Sequence, residues 1–281
     1  MKRLVPYAAR VELRRAVRWF RDLPGRRQLA RERAQATDAY PCLLVQHESK
    51  SIRQVAPEFM CLQRQKVRNL ELACARMDKL VIRPGETFSF CRLVGRTSRR
   101  RGYLDGLEMH NGELIGAPGG GLCQLSNLLY WMALHLDLEI VERHRHGFDL
   151  FPDDARVVPF GMGATVFFNY LDLRFRNPLN QPLLLRVGVE PPLLCGAFYS
   201  DREKPFEVEI VETAHRFMRG NDRVMWRENR VEKRVSYRDG RPPVVSEIAH
   251  NVARVRYGVP EDMVENTSDQ SLPGPHAPAR S

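Results

Sequence analysis

The chain has 281 residues, 43% of them hydrophobic, which is enough for one or two packed domains and excludes a disordered or fibrous class. No run approaches the ~20 apolar residues that cross a bilayer as a helix, and the charged N-terminus leads into no apolar h-region or small-residue cleavage site, so the expected address is the cytoplasm. The net charge of +10 is unevenly placed, and six cysteines spread through apolar patterns suit a reducing compartment.

Residues 1–36 hold eleven Lys and Arg against three Asp and Glu, a local charge of +8. Within them Ala9, Leu13, Ala16, Val17, Phe20 and Leu23 form a helical stripe surrounded by Arg10, Arg14, Arg15, Arg18 and Arg21. Such a basic amphipathic helix reads as an element for an anionic membrane surface, each basic residue near the leaflet being worth ~1 kcal/mol. The alternative is a helix that packs its stripe on the main domain and leaves the arginines in water. Nucleic acid ranks last, because no recognised module accompanies the charge.

A second amphipathic helix is expected over 66–80, through Val67, Leu70, Ala73, Cys74, Met77 and Leu80. Val81-Ile82, the Pro84-Gly85 turn and a strand over Thr87–Phe90 follow, and Arg99-Arg100-Arg101 is a basic loop. Next comes the run Pro118-Gly119-Gly120-Gly121-Leu122-Cys123-Gln124-Leu125-Ser126. Leu125, Leu128, Leu129, Met132, Ala133 and Leu136 then repeat at helical spacing, which puts Cys123 in the first turn of a buried helix. Free N–H groups and the helix dipole favour a thiolate there, the nucleophilic form, and the glycines let backbone approach a substrate and aim N–H groups at an oxyanion. A buried space-filling cysteine is the alternative, and Cys42, Cys61, Cys74, Cys91 and Cys195 are read that way.

After this helix, Ile140-Val141 starts a strand on which period 2 aligns Glu142, His144 and His146. The histidines fit a metal pair, a base with a neighbour, or solvated polar residues. Metal is weakest, because neither Cys-x-x-Cys nor His-Glu-x-x-His is present and no third ligand lies nearby. A base for Cys123 fits better, since an imidazole activates a thiol. Residues 164–177 read as two strands turning at Asn169, with Asp172 placed to orient the imidazole or to pair with Arg174 or Arg176. Helix-borne Cys, strand-borne His and strand-borne Asp occur in this order in papain-like and transglutaminase-like enzymes, an analogy of fold. Strands continue over 183–189, 206–212, 230–237 and 244–249, and from Glu261 the composition is that of a disordered tail. The expected class is α+β, with the Cys-bearing helix on an antiparallel sheet. The expected divisions are a basic helical segment (1–36), a core domain (37–200), a small β-rich extension (201–260) and a tail (261–281).

Arg83-Pro84-Gly85-Glu86-Thr87-Phe88-Ser89-Phe90, Asn111-Gly112-Glu113-Leu114, Gly119 through Leu129, Ile140-Val141-Glu142-Arg143 with His146, and Ala164-Thr165-Val166 with Asp172-Leu173 together resemble the VanW family over residues 38–200. The resemblance implies peptidoglycan transpeptidation, joining stem peptides by L,D cross-links through a catalytic cysteine, in cell-wall metabolism or glycopeptide resistance. It makes Cys123 the nucleophile and His146 the histidine after the Glu-Arg pair. Gly120, Gly121, Gln124, Ser126 and His144 are expected around the substrate or oxyanion, with no cofactor and no metal. The partners would be peptidoglycan or its precursor peptides, met either as cytoplasmic precursors at the inner leaflet or outside the membrane after export by a route the sequence does not display. Many members carry an Asp where this chain has Gly163, which leaves Asp172 and Asp149 for the orienting role. The rival class is a non-catalytic accessory or binding protein.

Overall fold

The computed structural model describes residues 7–23, 25, 28–110, 113–145, 148–149, 158–220 and 224–265. In chain order the elements are α1 (Tyr7–Arg21), β1 (Cys42–Lys50), α2 (Met60–Ala75), β2 (Leu80–Ile82), β3 (Thr87–Ser89), α3 (Phe90–Val94), β4 (Asp105–His110), β5 (Glu113–Pro118) and α4 (Cys123–His135). They continue with β6 (Glu139–Glu142), β7 (Phe148–Asp149), β8 (Arg174–Arg176), β9 (Leu183–Glu190), β10 (Leu193–Ser200), β11 (Phe206–Arg219), β12 (Met225–Tyr237), β13 (Val244–Val255) and β14 (Val264–Glu265). The chain is mixed α+β, with antiparallel sheets and few helices, and it divides into two compact units. Among the described residues no helix is long and apolar enough to cross a membrane.

The first unit, Met1–His144 with Ala164–Lys204, has an antiparallel sheet in the order β1-β10-β9-β2. Leu183, Leu184 and Leu185 on β9 and Leu194 and Phe198 on β10 are buried, as consecutive apolar residues are when both faces of a sheet are covered. Helix α4 packs against β1 and β10. Leu128 and Met132 press on Gly196, where a Cβ would lie 2.5 Å from Leu128 Cδ2. The smaller sheet β3-β8-β6 stacks Phe88 on Phe175 at 4.5 Å between ring centroids, and Phe175 meets Phe198 edge-on at 6.2 Å.

Three expectations are corrected in this unit. Helix α2 stops at Ala75 rather than running to Leu80; the chain turns with Lys79 at φ 63°, and Met77 and Leu80 reach the core from the turn and from β2. The two strands expected over 164–177 reduce to one bridge, Phe167 to Leu171, and β8. The backbone before it is tied to other groups: Ala164 N–H donates to Asn127 Oδ1, Ala164 O accepts from Ser126 Oγ, and Thr165 N–H donates to His144 O. Helix α1 is turned over relative to the reading that packs its stripe on the domain. Its arginines face the domain: Arg15 Nε donates to Phe168 O at 3.1 Å, Arg18 forms a two-point pair with Glu142, and Asp22 pairs with Arg174. Leu13, Val17 and Phe20 face outward.

The second unit is Arg145–Gly163 with Pro205–Ser281. Its sheet runs β14-β11-β12-β13-β7, with antiparallel long strands and short parallel edges. Its interior is polar in part. The buried Arg227 guanidinium pairs with Asp149 at 2.9 Å and lies 4.6 Å from the Phe160 ring centroid, while Tyr257 OH donates to Asp149 at 2.7 Å.

Asp172, 0% exposed, accepts from Ser89 Oγ (2.6 Å), Cys91 N–H (2.8 Å) and Arg174 Nε (2.8 Å). Removing a buried charge strands its partners. Asp172→Ala should therefore lower stability in urea unfolding by about 3 kcal/mol. Arg176→Ala, which breaks an exposed pair with Glu139, should change it by under about 1 kcal/mol. A loss below 1 kcal/mol at Asp172 would contradict this assignment.

Candidate functional site

Helix α4 begins at Cys123, and three glycines bring the chain there. Gly120 crosses Gly106 of β4 backbone to backbone: a Cβ on Gly120 would lie 2.1 Å from Gly106 O, and one on Gly106 would lie 2.2 Å from Gly120 O. Asn69, fully buried on α2, clamps the crossing. Its Nδ2 donates to Gly120 O (3.0 Å) and Leu104 O (2.9 Å), and its Oδ1 accepts from Leu104 N–H (2.8 Å). Gly121 takes φ 92°, a left-handed conformation open to glycine, and the Lys66 stem fills the space where its Cβ would stand. The N–H groups of Gly119 and Gly120 donate to Leu104 O and Ala117 O. The glycine run thus serves close packing, and two of its N–H groups are already used.

Cys123 is partly exposed, with Sγ 4.0 Å from Val166 O. Burial of its sulfur pushes the thiol above its ordinary range. This desolvation acts against the thiolate that a helix start favours. Gln124 and Ser126 are committed inward. Gln124 Oε1 accepts from Lys66 Nζ (2.9 Å) and its Nε2 donates to Ser49 Oγ and Lys50 O (2.8 Å each), while Ser126 Oγ donates to Ala164 O (2.5 Å).

A cavity of about 230 Å³ adjoins this helix start, with Leu122 and Val166 in its wall. Arg15, Glu108, Cys91 and Phe167 line it as well. Burial pushes the Cys91 thiol well up. Its sulfur faces Leu171 O at 3.4 Å, as a packing residue does.

His144 lies beyond the end of β6 and not on the strand, with Nε2 2.8 Å from Glu142 Oε1. Burial works against the charge on Glu142, but hydrogen bonds from His144, Arg18 and Asp172 N–H outweigh it and hold the carboxyl down at about 2. His146 lies outside the described residues. Asp172 sits before β8, and its partners are Ser89, Cys91 and Arg174, the ion pair that was its alternative reading. Asp149 pairs with Arg227 in the second unit. The described residues therefore place Cys123 beside 165–166, to which His144 O is also bonded, but neither Asp172 nor Asp149 has an imidazole among these contacts. Among the described residues no group of three or more His, Cys, Asp and Glu is arranged to hold a metal ion.

Lys66, Asn69 and Glu108 are not singled out by the sequence, and Arg15 only as one of the arginines around the N-terminal stripe. For the first two a signal exists: Gln63, Lys66 and Asn69 recur every third residue on the buried side of α2, and polar groups on a core stripe carry specific partners.

Residues 65–199 match the family described as VanW like protein. The vancomycin B-type resistance protein VanW of Enterococcus faecalis is 36% identical over 160 residues, 57% of this chain and 58% of that protein. The uncharacterized protein YoaR of Bacillus subtilis is 34% identical over 145 residues, 52% of this chain and 46% of that protein. The chain thus spans about half the length of the curated relatives it matches. No solved structure matches it.

Lys66 carries a pH prediction. Burial, with Arg53 adding repulsion, lowers its ammonium to about 8, below the ~10.4 of an unfolded chain. Between these values the unfolded chain holds more protons, so stability rises with pH, by up to about 3 kcal/mol. Urea unfolding at pH 7.5 and 10 should show that Lys66→Met removes this rise; equal rises in both proteins would contradict it.

Proposed function

Because residues 65–199 belong to the VanW family, we propose that this chain performs cysteine-dependent acyl transfer on peptidoglycan-type stem peptides, in cell-wall metabolism connected with glycopeptide resistance. The observation that carries the reading is the partly exposed Cys123 at the first turn of α4, next to a cavity whose wall includes Leu122 and Val166. Arg15 and Glu108 bring opposite charges to that wall, matching a peptide with a carboxylate and an amine.

In this mechanism the thiol is neutral at rest, so its proton must be taken as it attacks. His146, assigned by the family resemblance, removes it; Sγ bonds to the substrate carbonyl carbon, and N–H groups at Leu122 and Cys123 hold the oxyanion. The bond to the leaving amine breaks as the imidazolium returns the proton to that amine. An incoming amine, or water, attacks the thioester and regenerates the thiol. Glu142, ionised and bonded to His144, stabilises positive charge beside this path.

A non-catalytic binding module is favoured by one observation, the burial that raises the Cys123 thiol. Mass spectrometry of the full chain with a stem tetrapeptide and an amine acceptor separates the two. Acyl transfer predicts a covalent adduct on Cys123 that hydroxylamine releases. Cys123→Ser should abolish turnover with little loss of stability, since Ser suits the first helical turn. His146→Ala should slow transfer by ~10²–10⁴ and His144→Ala by less. Retained turnover in Cys123→Ser contradicts the mechanism; peptide binding with neither adduct nor turnover establishes the binding module.

A further inference from the structure

Helix α1 lies outside the matched residues 65–199 and docks on its unit with polar groups. Arg15 spreads its guanidinium over the Phe167 ring at 5.1 Å and donates to Phe168 O. Arg18 reaches Glu142 and Tyr170 O, and Asn169 Nδ2 donates back to Arg15 O. An amphipathic helix ordinarily buries its apolar stripe; here the stripe faces the other way. Leu13 is 64% exposed, Val17 58% and Phe20 64%. Their spacing of four and three puts them on one face, bordered by Trp19, edge-on to Phe20 at 5.1 Å, and by Leu23. A cluster of large exposed apolar side chains marks an interaction surface.

Charge identifies its occupant. All three carboxylates of residues 1–36 are paired within the chain, Glu12 with Arg15 and Arg96, Asp22 with Arg18 and Arg174, and Glu32 with Arg83. Arg14 and Arg21 remain exposed along the helix, and residues 1–36 carry +8. An apolar stripe with aromatic and basic borders fits an anionic lipid surface. We propose that α1 lies flat on an anionic bilayer surface, with Leu13, Val17 and Phe20 at the acyl boundary and its inward arginines holding the rest of the unit against the headgroups. Arg15 is also a wall of the cavity beside Cys123, so this docking would hold the cavity close to the membrane surface. The proposal is independent of what Cys123 does.

The test is co-sedimentation of the full chain with phosphatidylcholine vesicles with and without 30% phosphatidylglycerol (about one lipid in three, to supply the negative surface potential). The wild type should bind the anionic vesicles, and Leu13→Ser/Val17→Ser/Phe20→Ser should bind at least about tenfold more weakly, with an unchanged urea midpoint because the three side chains are exposed. Salt should weaken wild-type binding only in part, since screening acts on the charges and not on the apolar contact. Phe20→Ser alone serves as the second variant should the triple change disturb folding, and a severalfold loss is expected from it. Full binding by the variants overturns the proposal. So does a wild type that stays off the vesicles, whether as a monomer or as a dimer that the triple variant disrupts; the dimer would assign the stripe to a second copy of the chain.

Discussion

The crossing of Gly106 over Gly120 is the constraint from which the site follows. Two backbones meet where either residue would place a Cβ against the other's carbonyl oxygen, at 2.2 Å or less. Only glycine on both sides allows it, and such an approach persists only when its polar groups are satisfied. Asn69 supplies that, bonding Gly120 O and both polar groups of Leu104 from a fully buried position. With the crossing fixed, Gly121 turns over the Lys66 stem, Gln124 is drawn between Lys66 and the end of β1, and Cys123 is left at the start of α4. The glycine-rich motif is thus first a device of packing, and the place of the thiol is its consequence.

A network of charges organises the other side of the unit. Asp172 joins β3, the start of α3 and β8; Arg174 passes the connection to Asp22 at the end of α1; and Glu142 gathers Arg18, His144 and Asp172 N–H. The network explains why an arginine-rich helix docks by its charged face. Partly buried carboxylates need cations, and α1 supplies Arg18 while its Asp22 serves Arg174. One helix therefore contributes to the cavity wall through Arg15 and presents an apolar stripe outward.

The sequence made some of this legible and not the rest, for physical reasons. The apolar repeat from Leu125 to Leu136 marked a helix opening near Cys123, and the consecutive leucines of β9 marked a buried strand. Both signals are local. Periodicity also found the stripe of α1, but it identifies faces and not which face turns inward; that was decided by Glu142, Phe168 and Tyr170, more than a hundred residues away. A helix start argued for a thiolate at Cys123, whereas burial, which depends on the tertiary fold, pushes the thiol up. Asp172 could be read as an orienting acid or an ion-pair partner; local sequence offers its partner Arg174, but not Ser89, which the pairing of β3 with β8 brings to it.

The central claim, that the glycine crossing sets the environment of Cys123, is tested most directly by Gly106→Ala and the rate of iodoacetamide labelling at each cysteine, read by peptide mass spectrometry. A methyl at residue 106 must push Gly120 away without touching Cys123. The account predicts a change of about tenfold or more at Cys123, the size of a shift of one unit in thiol pKa, with exposed Cys61 unaffected. A folded variant whose Cys123 labels at the wild-type rate would contradict it.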